Sequence, residues 1–269
     1  MKVKSFGCSY IFGSDLKDCN SDPPWPRGSK STWPALLAQH VRGNKLDAGY
    51  ECHARPGSGN FQITERILNH VVQHVARFNP ASLAPTAMPP PVHQHGIFSD
   101  KLHCLMQDSK DDIFVIGWSW IDRFDHHKGT NAWQPWKTIL PGEVDKLSQT
   151  YYKHLHTEYS DKLNSLINIK LVIDILLQHN VRFLMTFIDD LMFDQKFHTS
   201  PAVTHLQSCI LPYMTTFEGK TFLEWSKQKG FAESATRHPL EEAHRAAADY
   251  MITVFDKQNT SGLVLQARA

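Results

Sequence analysis

Val3-Lys4-Ser5-Phe6-Gly7-Cys8-Ser9-Tyr10 is the stretch on which the fold turns. Val3 to Phe6 is short and suits a buried strand. Gly7 then allows an abrupt backbone turn, and Gly13-Ser14-Asp15 reads as the loop that follows. A serine at such a strand-to-helix turn is presented at the carboxyl end of a sheet, beside backbone N–H groups that no helix satisfies. Ser9 is therefore a candidate nucleophile. The plainer reading is that Gly-Cys-Ser are small residues needed only for packing, and the rest of the chain decides between the two.

Working outward, Asp15 to Thr32 is polar and turn-rich, with Pro23-Pro24-Trp25-Pro26-Arg27-Gly28. Ser31-Thr32-Trp33-Pro34 opens a helix. Leu46 to Ala54 reads as a second strand, ending in Arg55-Pro56-Gly57-Ser58-Gly59-Asn60. Ile63, Ile67, Leu68, Val71, Val72 and Val75 repeat at helical spacing up to Asn79-Pro80. The proline-rich segment 80–111 is an excursion from the core. Asp112 to Trp118 is the clearest strand, continuously apolar as a central parallel strand should be. Trp118 to Pro141 reads as an aromatic loop with Trp120, Phe124, Trp133 and Trp136. Glu143 to His179 is helical in one or two pieces, and Val181 to Ile188 is a strand ending in Asp189-Asp190. Segment 191–230 is an irregular excursion with short helical pieces. The last helix is expected from His238-Pro239, with Pro239 at N1 and Glu241-Glu242 in the first turn. Strands alternating with helices predict one three-layer α/β domain over residues 1–269, with a mainly parallel sheet.

Composition narrows the function. Lys+Arg of 28 against Asp+Glu of 27 gives no bulk charge for nucleic acid or an acidic membrane. No apolar window approaches a membrane span, and no long apolar segment follows Met1-Lys2-Val3-Lys4, so neither a span nor a signal peptide is expected. The five scattered cysteines lack a C-x-x-C and read as reduced thiols, giving a cytoplasmic expectation. His93-x-His95, Asp125-His126-His127 and His154-x-His156 lack zinc spacing and read as surface histidines, so no metal and no cofactor is expected.

Acyl transfer by serine needs a nucleophile, a base and donors for the oxyanion. Ser9 supplies the first. Gly57 and Ser119 follow the second and third strands, and His238 precedes the last helix. An early G-x-S, a glycine in a turn, a G-x-S after a central strand and a late His-Pro resemble, in that order, the motifs of the SGNH (GDSL-type) hydrolases. The resemblance implies a flavodoxin-like fold and hydrolysis of acyl or acetyl esters, including those of sugars. It implies Ser9 as nucleophile, the N–H groups of Ser9 and Gly57 as oxyanion donors, and His238 as base.

Three departures stand out. Cys8 replaces the family's aspartate before the nucleophile. Ser119 stands where the family has asparagine, with Asn60 as a substitute donor. Ala235-Thr236-Arg237-His238 lacks the carboxylate of the family's Asp-x-x-His. The expected acceptor for His238 is therefore a main-chain carbonyl near Ala235 or the carboxylate of Glu233, with His244 as a competing base. The resulting expectation is a serine-dependent ester hydrolase acting on a small-molecule or glycan ester. The alternative is a catalytically weakened domain that binds a ligand through its tryptophan-lined mouth.

Overall fold

The computed structural model describes residues 1–20, 26–43, 49–78, 112–129 and 136–260. Four parallel strands form the main sheet: β1 (Val3–Phe6), β2 (Tyr50–Cys52), β3 (Ile113–Trp118) and β6 (Arg182–Phe187). Their spatial order is β2-β1-β3-β6, the doubly wound, flavodoxin-like arrangement. Phe6 pairs with Ile116, and Trp118 with Phe187, so the strands end along one common edge.

β3 is apolar throughout because both faces of the sheet are covered, while β1 carries the buried polar residues Lys4, paired with Asp112, and Ser5. Val3, Ile113, Val115 and Leu184 face one core with Trp33, Leu37, Ala247 and Met251. These last come from α2 (Trp33–Val41) and the final helix α8 (Glu241–Thr260). Phe6, Phe114, Ile116, Phe183 and Met185 face the other core with Ile63, Ile67, Leu166, Ile169 and Ile173. That layer is built by α3 (Asn60–Phe78) and α5 (Glu158–Gln178). The side-chain period of two in a strand thus produces the three layers.

Between β3 and β6 the chain adds α4 (Lys146–His154), capped by Asp145, and α5, capped by Thr157. The 191–230 segment holds two helices, α6 (Pro201–Ile210) and α7 (Phe222–Gln228). The second opens on a capping box between Thr221 and Glu224.

Several expectations change. The second strand is three residues long, Tyr50–Cys52, and residues 44–48 lie outside the described residues. The aromatic stretch after Trp118 contains an antiparallel hairpin, β4 (Phe124–His127) with β5 (Trp136–Ile139). Asp125 of that hairpin accepts from the N–H groups of Gly59 (3.0 Å) and Gln62 (2.9 Å), tying it to the start of α3. The final helix begins at Glu241, because Pro239 is used in a bridge to Glu233. Trp118 is fully buried in the core. Trp25, Trp133, Cys104 and the proline-rich 80–111 stretch lie outside the described residues.

Candidate active site

The turn after β1 is shaped by close packing. Ile11 lies over Gly7 and Gly117, the adjacent ends of β1 and β3, and a Cβ on Gly117 would come within 2.5 Å of Ile11 Cγ1. Ser9 opens α1 (Ser9–Phe12), a single turn that ends at Gly13 in the left-handed region, φ 74°. That left-handed residue reverses the chain and carries Asp15 to His238.

The second loop is joined to the same edge, since the Arg55 N–H donates to the Gly7 carbonyl at 3.0 Å. Gly57 has φ 77° with open space around its missing Cβ, so backbone conformation, not crowding, requires glycine there. Neither Ser9 nor Gly57 uses its N–H in a hydrogen bond among the described residues.

The third component arrives from the far end of the chain. Glu233 and Pro239 bridge, and Ser234 N–H donates to the His238 carbonyl at 2.9 Å, so residues 234–238 form a closed loop. His238 Nε2 lies 2.8 Å from Ser9 Oγ, and its Nδ1 lies 2.7 Å from Asp15 Oδ2. Asp15 also accepts from Ser234 Oγ at 2.5 Å and from the Thr236 hydroxyl. Burial would raise the Asp15 carboxyl, but the hydrogen bonds from Ser234, Thr236 and His238 outweigh it and hold the pKa at about 2. The group is thus an anion at neutral pH, aimed at the ring nitrogen opposite the one that meets Ser9.

Tyr10 fixes this loop over the serine. Its ring packs edge-on against His238, centroids 4.7 Å apart, and its hydroxyl donates to the Arg237 carbonyl at 3.0 Å. Burial pushes the phenol well above its ordinary range, so it stays a neutral donor. Arg237 itself has φ 65°, an uncommon conformation that this hydrogen bond helps to hold.

The sequence-derived candidates divide. Ser9, Gly57, Ser119 and His238 all lie at the carboxyl edge of β1, β2 and β3 or above it. Glu233 does not accept from His238: its Oε1 is buried without a hydrogen-bond partner among the described residues, and Asp15 takes the position instead. His244 is not a base for Ser9. It is buried inside the α2–α8 layer, accepts the Trp33 N–H at 3.2 Å, and burial drives its pKa down to about 3. Asn60 is committed elsewhere. Its amide donates to the Ser119 carbonyl (3.2 Å) and Ser165 Oγ (3.1 Å), and its oxygen accepts the Ser119 N–H (2.8 Å). It positions the third loop and has no amide hydrogen left for an oxyanion. The Ser119 hydroxyl is buried with no hydrogen-bond partner among the described residues. Cys8 turns its thiol into the core.

Asp15 was the residue sequence reasoning missed. The available signal was a carboxylate just beyond a glycine that closes the one-turn helix opened by Ser9. Among the described residues, no three His, Cys, Asp or Glu side chains are grouped to hold a metal. His93 and His95 lie outside the described residues.

No family model matches the chain, and no curated protein does. Among solved structures it is similar to the psychrotrophic esterase EstA from Pseudoalteromonas sp. (9% identity, TM-score 0.47), over 96% of this chain and 98% of that one. It is similar to a carbohydrate esterase (16% identity, TM-score 0.42), over 95% of this chain and 68% of that one. It is also similar to the acetyl xylan esterase AlAXEase (12% identity, TM-score 0.42), over 94% of this chain and 99% of that one. The α/β architecture of the chain rests on its own sheet order and register, and its resemblance to the SGNH hydrolases on the order of its Ser9, Gly57, Ser119 and His238 motifs.

Proposed function

We propose that this chain is a serine-dependent ester hydrolase of the SGNH type, with Ser9 as nucleophile, His238 as base and Asp15 as the acid that orients it. The observation that carries the reading is the continuous hydrogen-bonded path from Ser9 Oγ through the imidazole to the Asp15 carboxylate, 2.8 Å and then 2.7 Å. A hydroxyl, an imidazole and a carboxylate in that order form the minimal arrangement for nucleophilic acyl transfer.

In this mechanism His238 Nε2 takes the Ser9 proton as Oγ attacks the ester carbonyl. The carbonyl oxygen becomes an oxyanion, met by the free N–H groups of Ser9 and Gly57, with the Ser119 hydroxyl as a third donor. Collapse of the tetrahedral adduct breaks the C–O bond, and the leaving alkoxide takes the proton from His238. Water then attacks the acyl-serine by the same route and releases the acid. Asp15 stabilises the imidazolium in both halves and keeps the proton on Nδ1.

The substrate follows as a small-molecule or glycan acyl ester. Hydrolysis of 4-nitrophenyl acetate by the purified chain tests the reading. Ser9→Ala should lower kcat by about a thousandfold or more while leaving the melting temperature nearly unchanged. A wild type that turns over no faster than the enzyme-free reaction would leave only the weakened binding domain, and inactive Cys8→Ala beside active Ser9→Ala would move the chemistry to the thiol.

A further inference from the structure

Neither Trp118 nor Trp120 presents an open stacking face beside the candidate site. Trp118 is buried, and Trp120 has the Arg123 guanidinium over its ring at 4.6 Å and the Tyr10 ring 5.3 Å from its centroid. What this platform offers is a cation. Arg123 Nη1 also donates to the Ser58 carbonyl at 3.1 Å, in the loop that carries Gly57. The guanidinium is thereby fixed between the two loops that frame the Ser9 turn.

Three further arginines stand on the neighbouring elements, and one of them meets Arg123 at Ser58. Arg66 reaches up from α3 to Ser58 Oγ at 2.8 Å, and its Nε is buried with no hydrogen-bond partner among the described residues. Arg55 and Arg237 are exposed, one on the Gly57 loop and one next to His238. Among the described residues, no carboxylate forms an ion pair with any of the four.

The neighbouring acids are occupied. Asp15 serves His238, Asp125 serves the start of α3, and Glu233 keeps one oxygen buried. The Asp122 carboxyl is itself pushed up by burial and makes no ion pair with Arg123. Asp125 and Asp122 lie near enough to act on Arg66 and Arg123 electrostatically, but neither closes an ion pair, so a half-buried guanidinium held in place here still gains from an anion that arrives from outside. A planar fork fixed in advance also suits a carboxylate better than a neutral group.

We propose, resting on the esterase reading above, that the accepted ester carries an anionic group of the carboxylate type close to its scissile bond, with Arg123 as the residue that recognises it and Arg237 at the rim. Neutral esters would be turned over through Ser9 alone, and anionic ones gain both a docking contact and electrostatic attraction into the cleft.

Two matched ester pairs test this. 4-Nitrophenyl butyrate against mono-4-nitrophenyl succinate places the charge on the acyl side. 4-Acetoxybenzamide against 4-acetoxybenzoate places it on the leaving group. Wild type should prefer the anionic member of at least one pair in kcat/KM. Arg123→Gln should lower that anionic-to-neutral ratio by about tenfold or more, the usual loss of a charge-assisted contact. Arg123→Lys keeps the charge without the fork and should recover part of the ratio, and rising sodium chloride should compress it in the wild type. Ratios that are the same in wild type and Arg123→Gln for both pairs overturn the proposal while leaving the esterase intact. A wild type that hydrolyses none of the four esters removes both.

Discussion

Replacing the Asp15 carboxylate by an amide, Asp15→Asn, isolates the least expected part of the site. In the folded chain Asp15 Oδ2 accepts from Ser234, Thr236 and His238 together. An amide of the same shape either aims a donor at the His238 nitrogen or offers only a neutral oxygen. In both cases the imidazolium formed during attack loses its counter-charge. For opposite charges about 4 Å apart near a protein surface the attraction is roughly 4 kcal/mol, or about a thousandfold in rate. The Asp15 side chain is 27% exposed, so solvent screening trims this, and the expected loss in kcat is about a hundredfold to a thousandfold. Steady-state hydrolysis of 4-nitrophenyl acetate measures it. Ser234→Ala and Thr236→Val, which remove one donor each to the same oxygen, should cost far less. Glu233→Gln should cost nothing. Asp15→Asn keeping more than a tenth of wild-type kcat, or Glu233→Gln taking the loss instead, would refute the assignment.

Other expectations follow from the same geometry. His238→Ala should cost nearly as much activity as Ser9→Ala, because the two act as one unit, whereas His244→Ala should lower the melting temperature and leave the site chemistry in place. The sign of the His244 contribution to pH stability is fixed by its low folded pKa of about 3: the unfolded chain binds the proton more readily, so stability is full above about pH 6.5 and falls by up to ~1.4 kcal/mol per unit as pH drops toward 3. Replacing His244 should flatten that limb in a denaturant titration across pH, and an unchanged slope would exclude it. Tyr10→Phe removes the donor to the Arg237 carbonyl and should lower kcat more than it raises KM, with about 1 kcal/mol of stability lost. Gly117→Ala drives a methyl into Ile11, which should cost about 1–3 kcal/mol and lower activity by displacing the Ser9 turn.

What was legible in the sequence was whatever a local pattern carries. The apolar runs of β3 and β6 and the helical spacing of α3 reflect burial against the layers these elements meet. Ser9 and His238 were legible because each stands at a turn with its own local signature, small residues after a strand and a His-Pro before a helix. Asp15 was not. It reads as one more polar residue in a loop, and its role depends on a contact with His238, 223 positions away. The β4–β5 hairpin was also hidden, since its strands, Phe-Asp-His-His and Trp-Lys-Thr-Ile, are short, only partly buried and not joined by a two-residue turn. Asn60 was read as a donor from its type alone. Its commitment to the main chain at Ser119 appears only once α3 and β3 are side by side.

The most direct measurement of the central claim is covalent labelling by a fluorophosphonate, followed by peptide mass spectrometry of the purified chain. Only a serine whose proton is being withdrawn reacts at a useful rate. The account predicts one adduct, on the peptide containing Ser9, formed at least about a hundredfold more slowly in His238→Ala and in Asp15→Asn. An adduct on any other residue, or labelling of Ser9 at the wild-type rate in both variants, would contradict it.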